Sequence, residues 1–120
     1  ISVMSYSSVA KGILTGAFHL GGARLRPDDF RVKWRLFLPG QLEKEAALIH
    51  AMKEIADSKG VTVSQIAISW ILHQEGMTSA IVGTQNEKHL LDNIRSVDVA
   101  LSPQELERLD AASRQVLRSL

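Results

Sequence analysis

Apolar residues in this chain fall into short runs and longer periodic segments. The stretches 1–6 and 79–82 are short and read as buried strands. From Glu43 onward, apolar positions recur every three or four residues until Lys59 and Gly60, which predicts an amphipathic helix that ends at a glycine. A second helix, predicted over 65–74, is apolar nearly all round and should be buried on several sides.

Two further helices complete the pattern. The segment 86–96 predicts a helix whose apolar residues face inward: Leu90, Leu91 and Ile94. Capping boxes, in which a Thr or Ser is followed three residues later by Gln or Glu, begin at Thr62 and Ser102. The last helix has proline at its first position and is expected to bury Leu106, Leu109, Val116 and Leu117.

The predicted order is strand, long loop, helix, helix, strand, helix, helix. Strands that alternate with helices argue for parallel βα units, although two strands cannot make a stable parallel sheet alone. The loop over 17–40 has no clear period, and loops of this length are usually functional or mobile. Trp34 and Phe37 are its candidates for functional aromatic residues, because this loop could fold over a site. Its basic residues are expected to be solvated: Arg24, Arg26, Arg31, Lys33 and Arg35.

Composition narrows the functional classes. The 120 residues fit one domain at most, and 45% apolar with 22% charged residues is typical of a globular chain. A net charge of +1 gives no field that would favour nucleic acid. No apolar run reaches membrane-spanning length, and the lack of cysteine excludes disulfides and is compatible with a cytoplasmic setting. The chain begins at Ile1, inside a predicted strand, and is therefore expected to be a piece of a longer protein.

Both predicted strands run directly into loops that suit a phosphate. After the second strand, the segment 80–93 enters a capped helix start, where unpaired N–H groups and the positive end of the helix dipole meet. After the first strand, the segment 3–12 enters a loop of small residues. Two such ends side by side would form a site for a phosphorylated cofactor. Without further information, a tyrosine at a strand end such as Tyr6 is more often a packing residue than a ligand contact. Likewise, Gly83–Thr84 could be an ordinary loop and helix cap.

Other motifs are weaker. The four histidines have no metal-ligand spacing, so no metal site is predicted. The segment 54–66 mimics a helix-turn-helix, with Ala56, Gly60 and Ile66 at the expected spacing. A DNA-reading helix needs polar or basic side chains, and no Arg or Lys occurs from Val61 to Glu87. A buried helix explains this segment better than DNA binding does.

Three segments of the chain match longer sequence motifs. Residues 6–16 match the pattern Tyr-Ser-Pro-Leu-Ala-x-Gly-Leu-Leu-Thr-Gly except at a few positions. Residues 62–72 are similar to a Thr-x-x-Gln-x-Ala-Leu-x-Trp-x-Leu helix, and residues 81–93 to an Ile-x-Gly-x-x-x-x-x-x-Leu-x-Glu-Asn cofactor segment. Together these segments resemble the C-terminal part of the aldo-keto reductases, over nearly the whole chain.

The resemblance implies an α/β fold that is the C-terminal part of a (β/α)8 TIM barrel, with two strands and about four helices, incomplete as a barrel on its own. It implies that residues 1–120 form one cofactor-binding fragment of an oxidoreductase that reduces aldehydes and ketones with NADPH, or less often NADH. The family's catalytic tetrad of Asp, Tyr, Lys and His lies in the first half of the barrel and has no match here. No catalytic residue is therefore assigned, and the chain alone is expected to be inactive.

Cofactor-binding residues follow by position from the same resemblance. Tyr6 would stack on the nicotinamide ring. The loop around the pyrophosphate would contain Ser7, Val9 and Lys11. The adenine and the 2′-phosphate of the adenosine would be bound by Gly83, Thr84, Gln85, His89, Asp92 and Asn93.

The chain departs from the family pattern at several positions. Ser8 replaces the usual proline, which is expected to loosen the loop. Gln85 replaces a common Arg or Lys, and His89 a common Gln or Arg, which weakens recognition of a 2′-phosphate because a neutral amide makes no charge-assisted pair. Lys88 could compensate in part, and Asp92 is one methylene shorter than the usual Glu. The expected cofactor is accordingly NADP or NAD.

An alternative interpretation is that the chain is not catalytic. A truncated or degenerate piece of a barrel could serve as a packing or interaction module, because open strand edges and exposed apolar helix faces recruit partners. The isolated chain would then either self-associate or keep its strands poorly ordered around the helices. In the enzyme interpretation, the partners are the nicotinamide cofactor and a small carbonyl substrate, whose identity the sequence does not specify.

Overall fold

The computed structural model describes all 120 residues, as two strands and four α-helices joined by loops that contain short 3-10 turns. The strands are β1 (Val3–Ser5) and β2 (Met77–Ala80). The helices are α1 (Gln41–Lys59), α2 (Val63–Leu72), α3 (Glu87–Arg95) and α4 (Pro103–Ser119). This succession is the predicted one, and it makes the chain an α/β protein. None of its helices is long and apolar enough to cross a membrane.

The predicted capping boxes form at the starts of α2 and α4. At α2, the Thr62 hydroxyl accepts from the backbone N–H of Gln65 (3.1 Å), while the Gln65 side-chain oxygen accepts from the N–H of Thr62 (2.9 Å). Ser102 and Glu105 make the same reciprocal pair before α4. Each cap satisfies backbone donors that the first turn of a helix leaves unpaired, and a Ser or Thr cap contributes about 1 kcal/mol.

The hydrophobic core forms where α1 packs against both α2 and α4. Ile66 of α2 and Met52 of α1 are fully buried, and full burial of such a side chain contributes about 1.5–3 kcal/mol. The other core residues of these helices and of the segment before α4 are Leu48, Ala51, Ile55, Ala56, Val63, Ala67, Val99, Leu101, Leu109 and Val116. The core is thus made by helices, as the periodic segments predicted.

The two strands pair in parallel but are not buried. Val3 lies opposite Met77 and Ser5 opposite Ala80, with an irregularity after Val3. The prediction of a buried first strand is wrong, because Val3 is 44% and Met4 66% exposed. Only β2 packs substantially on a helix, α2, and no third strand flanks the pair. A parallel strand becomes buried only when other elements cover it, and here β1 has β2 alone.

Helix α3 also differs from the prediction. Four side chains that were expected to be buried, the last of them in α4, are exposed: Leu90, Leu91, Ile94 and Leu117. Helix α3 contacts α2 and the short turn that follows α3, and a side-chain hydrogen bond joins it to α2. The Gln65 side-chain N–H donates to the Asp92 carbonyl oxygen (3.0 Å), and Ser96 is fully buried. About half of the surface of each apolar side chain of α3 therefore remains exposed in this chain.

The long loop before α1 is held by Arg31. The guanidinium donates to both carboxylate oxygens of Asp29 (2.9 and 2.7 Å) and to the Lys11 carbonyl oxygen (3.0 Å). It also lies over the rings of Phe18 and Phe37, which pack edge to face with ring centroids 5.1 Å apart. The expectation that Arg31 is solvated is thus wrong, whereas the other four basic residues of the loop are exposed as predicted.

His19 and Glu45 form a buried polar pair between the long loop and α1. Their side chains are 5% and 2% exposed, and the His19 Nε2 lies 2.9 Å from the Leu42 carbonyl oxygen and 3.8 Å from a Glu45 carboxylate oxygen. Neither oxygen of Glu45 has a hydrogen-bond partner. Because burial disfavours the charged form, it raises the pKa of Glu45 to about 7.

We expect Glu45→Gln to stabilise the fold at alkaline pH. The folded chain keeps the Glu45 proton up to a pKa of about 7, whereas the unfolded chain releases it near 4.5, so the wild type loses stability as pH rises through this window. Well above the window, the variant should be more stable by about 2–3 kcal/mol, and the difference should shrink in acid. Urea unfolding across the window measures this difference. Glu43→Gln, on the exposed first turn of α1, is the control, and parallel pH curves for wild type and Glu45→Gln would contradict the prediction.

Candidate functional site

A cavity of about 1160 Å³ lies at the carboxyl ends of β1 and β2. Its walls come from the loops that follow the two strands, one side of α3, the start of α2 and the long loop before α1. Ligands of open α/β sheets commonly bind outside the carboxyl ends of the strands. The volume is slightly above the range of small-molecule sites, roughly 300–1,000 Å³, and leaves room for a large ligand.

Most of the residues singled out as cofactor-binding line this cavity. They are Val9, Lys11, Gly83, Thr84, Gln85, His89, Asp92 and Asn93. Tyr6 and Ser7 are not among its lining residues, although they lie in the loop that forms one wall. Two segments separated by about seventy residues are therefore brought together, because β1 and β2 pair in parallel and end at the same edge.

The wall after β1 has an unusual backbone. Ser7, Ala10 and Lys11 have φ angles of 56°, 48° and 56°, in the left-handed region that residues other than glycine rarely adopt. Gly12 follows with φ of 101°, which glycine alone adopts at low cost. This sharp turn directs the Val9 and Lys11 positions toward the cavity, and the strain concentrated there is of the kind found at binding sites.

The wall after β2 leads into the start of α3. The Asn86 side-chain oxygen accepts from the His89 N–H (3.3 Å), so Asn86 is the helix cap. The Thr84 hydroxyl accepts from the Asn86 N–H (3.3 Å) and fixes the approach to the helix. Gln85, Lys88 and His89 are exposed beside this N-terminus, where the helix dipole favours negative charge. This wall can attract an anionic group.

The remaining lining residues were not singled out as cofactor-binding. They are Thr15, Ala17, Phe30, Arg31, Thr62, Ser64, Val82 and Lys88. The sequence around Thr62 indicates only a helix cap. Phe30 lies in the long loop, whose path cannot be predicted from a hydrophobic pattern. Lys88 was considered only as a substitute cation for Gln85. Among the loop aromatics, Trp34 and Phe37 were the candidates, yet Phe30 is the one at the cavity.

Tyr6 and Lys11 form a pair at the rim of the cavity. The Lys11 Nζ donates to the Tyr6 hydroxyl (3.4 Å) and lies 5.1 Å from the centre of the Tyr6 ring and 4.8 Å from that of Trp34. The hydrogen bond from Lys11 lowers the pKa of Tyr6 below its usual value, since it favours the phenolate. Tyr6 is 76% exposed, so most of its side chain is accessible from solvent.

Positive charge at the cavity is only partly neutralised. Arg31 is paired with Asp29. Lys11 and Lys88 have no carboxylate within 4 Å, and the half-buried Asp92 is the lone acidic side chain of the lining. These two ammonium groups, which no carboxylate neutralises, would attract a phosphate more than any neutral group.

Ser8, which was expected to loosen the loop, is hydrogen-bonded to both strand ends. It is 4% exposed, and its hydroxyl lies 3.1 Å from the Ile81 carbonyl oxygen and 2.9 Å from the Ser5 hydroxyl. The expectation was based only on the loss of the rigid ring of a proline. The serine replaces that rigidity with hydrogen bonds to both strand ends.

These features define an α/β protein whose two parallel strands end at a ligand-sized cavity. The model of the aldo/keto reductase family matches residues 1–114, so the chain belongs to that family. It is similar to a probable voltage-gated potassium channel subunit beta of Arabidopsis thaliana, with 29% identity over 99% of this chain and 36% of that protein. It is also 29% identical to an L-glyceraldehyde 3-phosphate reductase of Escherichia coli O157:H7, over 92% of this chain and 33% of that protein. The chain thus spans about a third of the length of these relatives.

We expect Lys11→Met to raise the pKa of Tyr6. The hydrogen bond and the positive charge that favour the phenolate would both be lost. Tyr6 is the one tyrosine of the chain, so the alkaline titration of tyrosinate absorbance reports on it alone. Lys33→Met, which removes an exposed cation of the long loop, should leave the titration unchanged. An unaltered midpoint in Lys11→Met would show that the pair does not form.

Proposed function

We propose that this chain is the C-terminal, cofactor-binding part of an NAD(P)H-dependent aldo-keto reductase barrel. The observation that carries the proposal is the cavity on which both strand ends and the start of α3 converge. Sites of barrel enzymes lie at the carboxyl ends of the strands. Membership of the family and the likeness to a reductase support an oxidoreductase role.

The residues at the cavity fit a nicotinamide dinucleotide. The N–H groups at the start of α3 and the ammonium groups of Lys11 and Lys88 would hold its phosphates. Gly83 has no atom within 4 Å of the position that a Cβ would take, so a ligand can approach its backbone closely. The exposed ring of Tyr6 offers a face on which the nicotinamide would stack, and Ser7 would contribute to the pyrophosphate loop.

The division of roles follows from the same residues. When bound, the cofactor supplies the hydride that reduces the carbonyl carbon of an aldehyde or ketone. Thr84, Gln85, His89, Asp92 and Asn93 would orient its adenosine end, and Val9 would flank the pyrophosphate. The proton for the carbonyl oxygen would come from a residue outside this chain, because Tyr6, the one tyrosine here, serves as the stacking face.

The exposed apolar surface is consistent with a barrel that is completed by another part of the protein. Val3 and Met4 on β1 and the apolar residues of α3 remain largely exposed in this chain. Monomeric soluble proteins rarely leave contiguous apolar surface of this kind open. Neighbouring strands and helices of a closed barrel would cover it, since closure removes free strand edges.

A second candidate function is a non-catalytic packing or interaction module. The same exposed strand and helix faces favour it, because such faces recruit partners. The likeness to a channel subunit shows that the family is not restricted to proteins named as reductases. The two candidates differ in one property: the module requires no affinity for a nicotinamide cofactor.

We expect the purified chain to bind NADPH without reducing carbonyls. Binding needs only the cavity, whereas turnover also needs an acid that the chain lacks, and acid catalysis alone contributes roughly 10²–10⁴-fold. Fluorescence titration measures NADPH binding, and a steady-state assay with several aldehydes measures turnover. Lys88→Met should weaken binding, and Lys44→Met, exposed on α1, should not. Turnover above background would contradict the assignment of the catalytic residues to another part of the protein. If the chain does not bind NADPH, the interaction-module function is favoured.

We expect Gln85→Arg to tighten NADPH binding and leave NADH binding nearly unchanged. Only the 2′-phosphate gains a charge-assisted hydrogen bond, which corresponds to about a tenfold change or somewhat more in Kd. Parallel titrations with both cofactors measure the effect. Gln115→Arg, which adds the same charge at an exposed position of α4, is the matched control. Equal shifts for the two cofactors would show that Gln85 does not contact the 2′-phosphate.

A further inference from the structure

The Ser8 hydroxyl links the two strand ends that lead into the cavity. It lies 3.1 Å from the carbonyl oxygen of Ile81, which can only accept, so the hydroxyl donates there. Its oxygen is then free to accept from the Ser5 hydroxyl, 2.9 Å away. The backbone adds a second link, because the Ile81 N–H donates to the Ser5 carbonyl oxygen (2.9 Å).

The position of this link matters because the strands diverge directly beyond it. On one side, the chain continues through the left-handed turn to Lys11, and on the other it continues through Gly83 to the start of α3. Beyond Ser8 and Ile81, no side-chain hydrogen bond joins the two loops to each other. Each wall also packs against α2, but the hydrogen bonds at Ser8 are the direct side-chain link between the two loops at the point where they separate.

We propose that Ser8 is a positioning residue that fixes the distance between the two walls, so that one dinucleotide can contact both. The inference rests on the proposed function. A ligand that spans both walls needs their spacing to be set in advance, because otherwise part of its binding energy is lost in ordering the loops. A ligand that contacts only the α3 wall has no such need. Ser8 is not a lining residue of the cavity, so it would act through the loops and not by touching the ligand.

Two probes of different length test this assignment. NADPH extends from the adenosine end to the nicotinamide end, whereas 2′,5′-ADP carries the adenosine end alone. Ser8→Ala should weaken NADPH binding by about tenfold, which corresponds to the loss of one buried hydrogen bond. The same variant should change the Kd of 2′,5′-ADP by less than about twofold. Ser8→Thr keeps the hydroxyl and should restore NADPH binding. Ser113→Ala on α4 is the matched control.

A second variant keeps the test decisive if Ser8→Ala does not fold. Ser5→Ala removes the hydroxyl that donates to Ser8 and leaves the hydrogen bond from Ser8 to Ile81 in place. This variant should weaken the binding of NADPH more than the binding of 2′,5′-ADP. Equal weakening of both probes, or no change in either, would overturn the role of Ser8 while leaving the proposed function intact. A wild type that binds neither probe would overturn the proposed function and the role of Ser8 with it.

Discussion

The burial of α2 is the constraint on which the rest of the structure depends. Its apolar residues are distributed nearly all round the helix, so α1, β2, α3 and the turn over Ala10–Thr15 all pack against it. Ile66 and Ile68 are almost fully buried as a result. Because α2 leads into β2 through only four residues, the position of the helix also fixes the strand and, by parallel pairing, β1.

The same helix connects the core to the cavity. Gln65 is buried, its side-chain oxygen completes the cap of α2, and its side-chain N–H donates to the Asp92 carbonyl oxygen of α3. A single amide therefore joins the start of α2 to the helix that forms one cavity wall. Its loss would remove both hydrogen bonds, each of which contributes about 1 kcal/mol net. The site is held by the core through polar contacts, while apolar packing holds the core itself.

The chain departs from its family where the two walls of the cavity meet, and each departure has a physical consequence. Ser8 replaces the rigidity of a proline ring with hydrogen bonds to both strand ends. Gln85 stands where the family pattern often has a cation, and the nearby exposed Lys88 has no carboxylate within 4 Å. Neither Ser8 nor Gln85 belongs to the helical core, so these substitutions are confined to the segments around the cavity.

The sequence by itself determined the helices, because periodicity and capping are local: Thr62 with Gln65 and Ser102 with Glu105 mark helix starts that the structure reproduces. It also indicated, through the residues shared with a known family, which positions would meet at the strand ends. Only the tertiary structure decided what is buried and what completes the cavity. Leu90 and Ile94 form an apolar face, yet burial needs a partner surface that the chain does not supply. Phe30 and Arg31 reach the cavity through an aperiodic loop, whose path is set by contacts with residues distant in sequence.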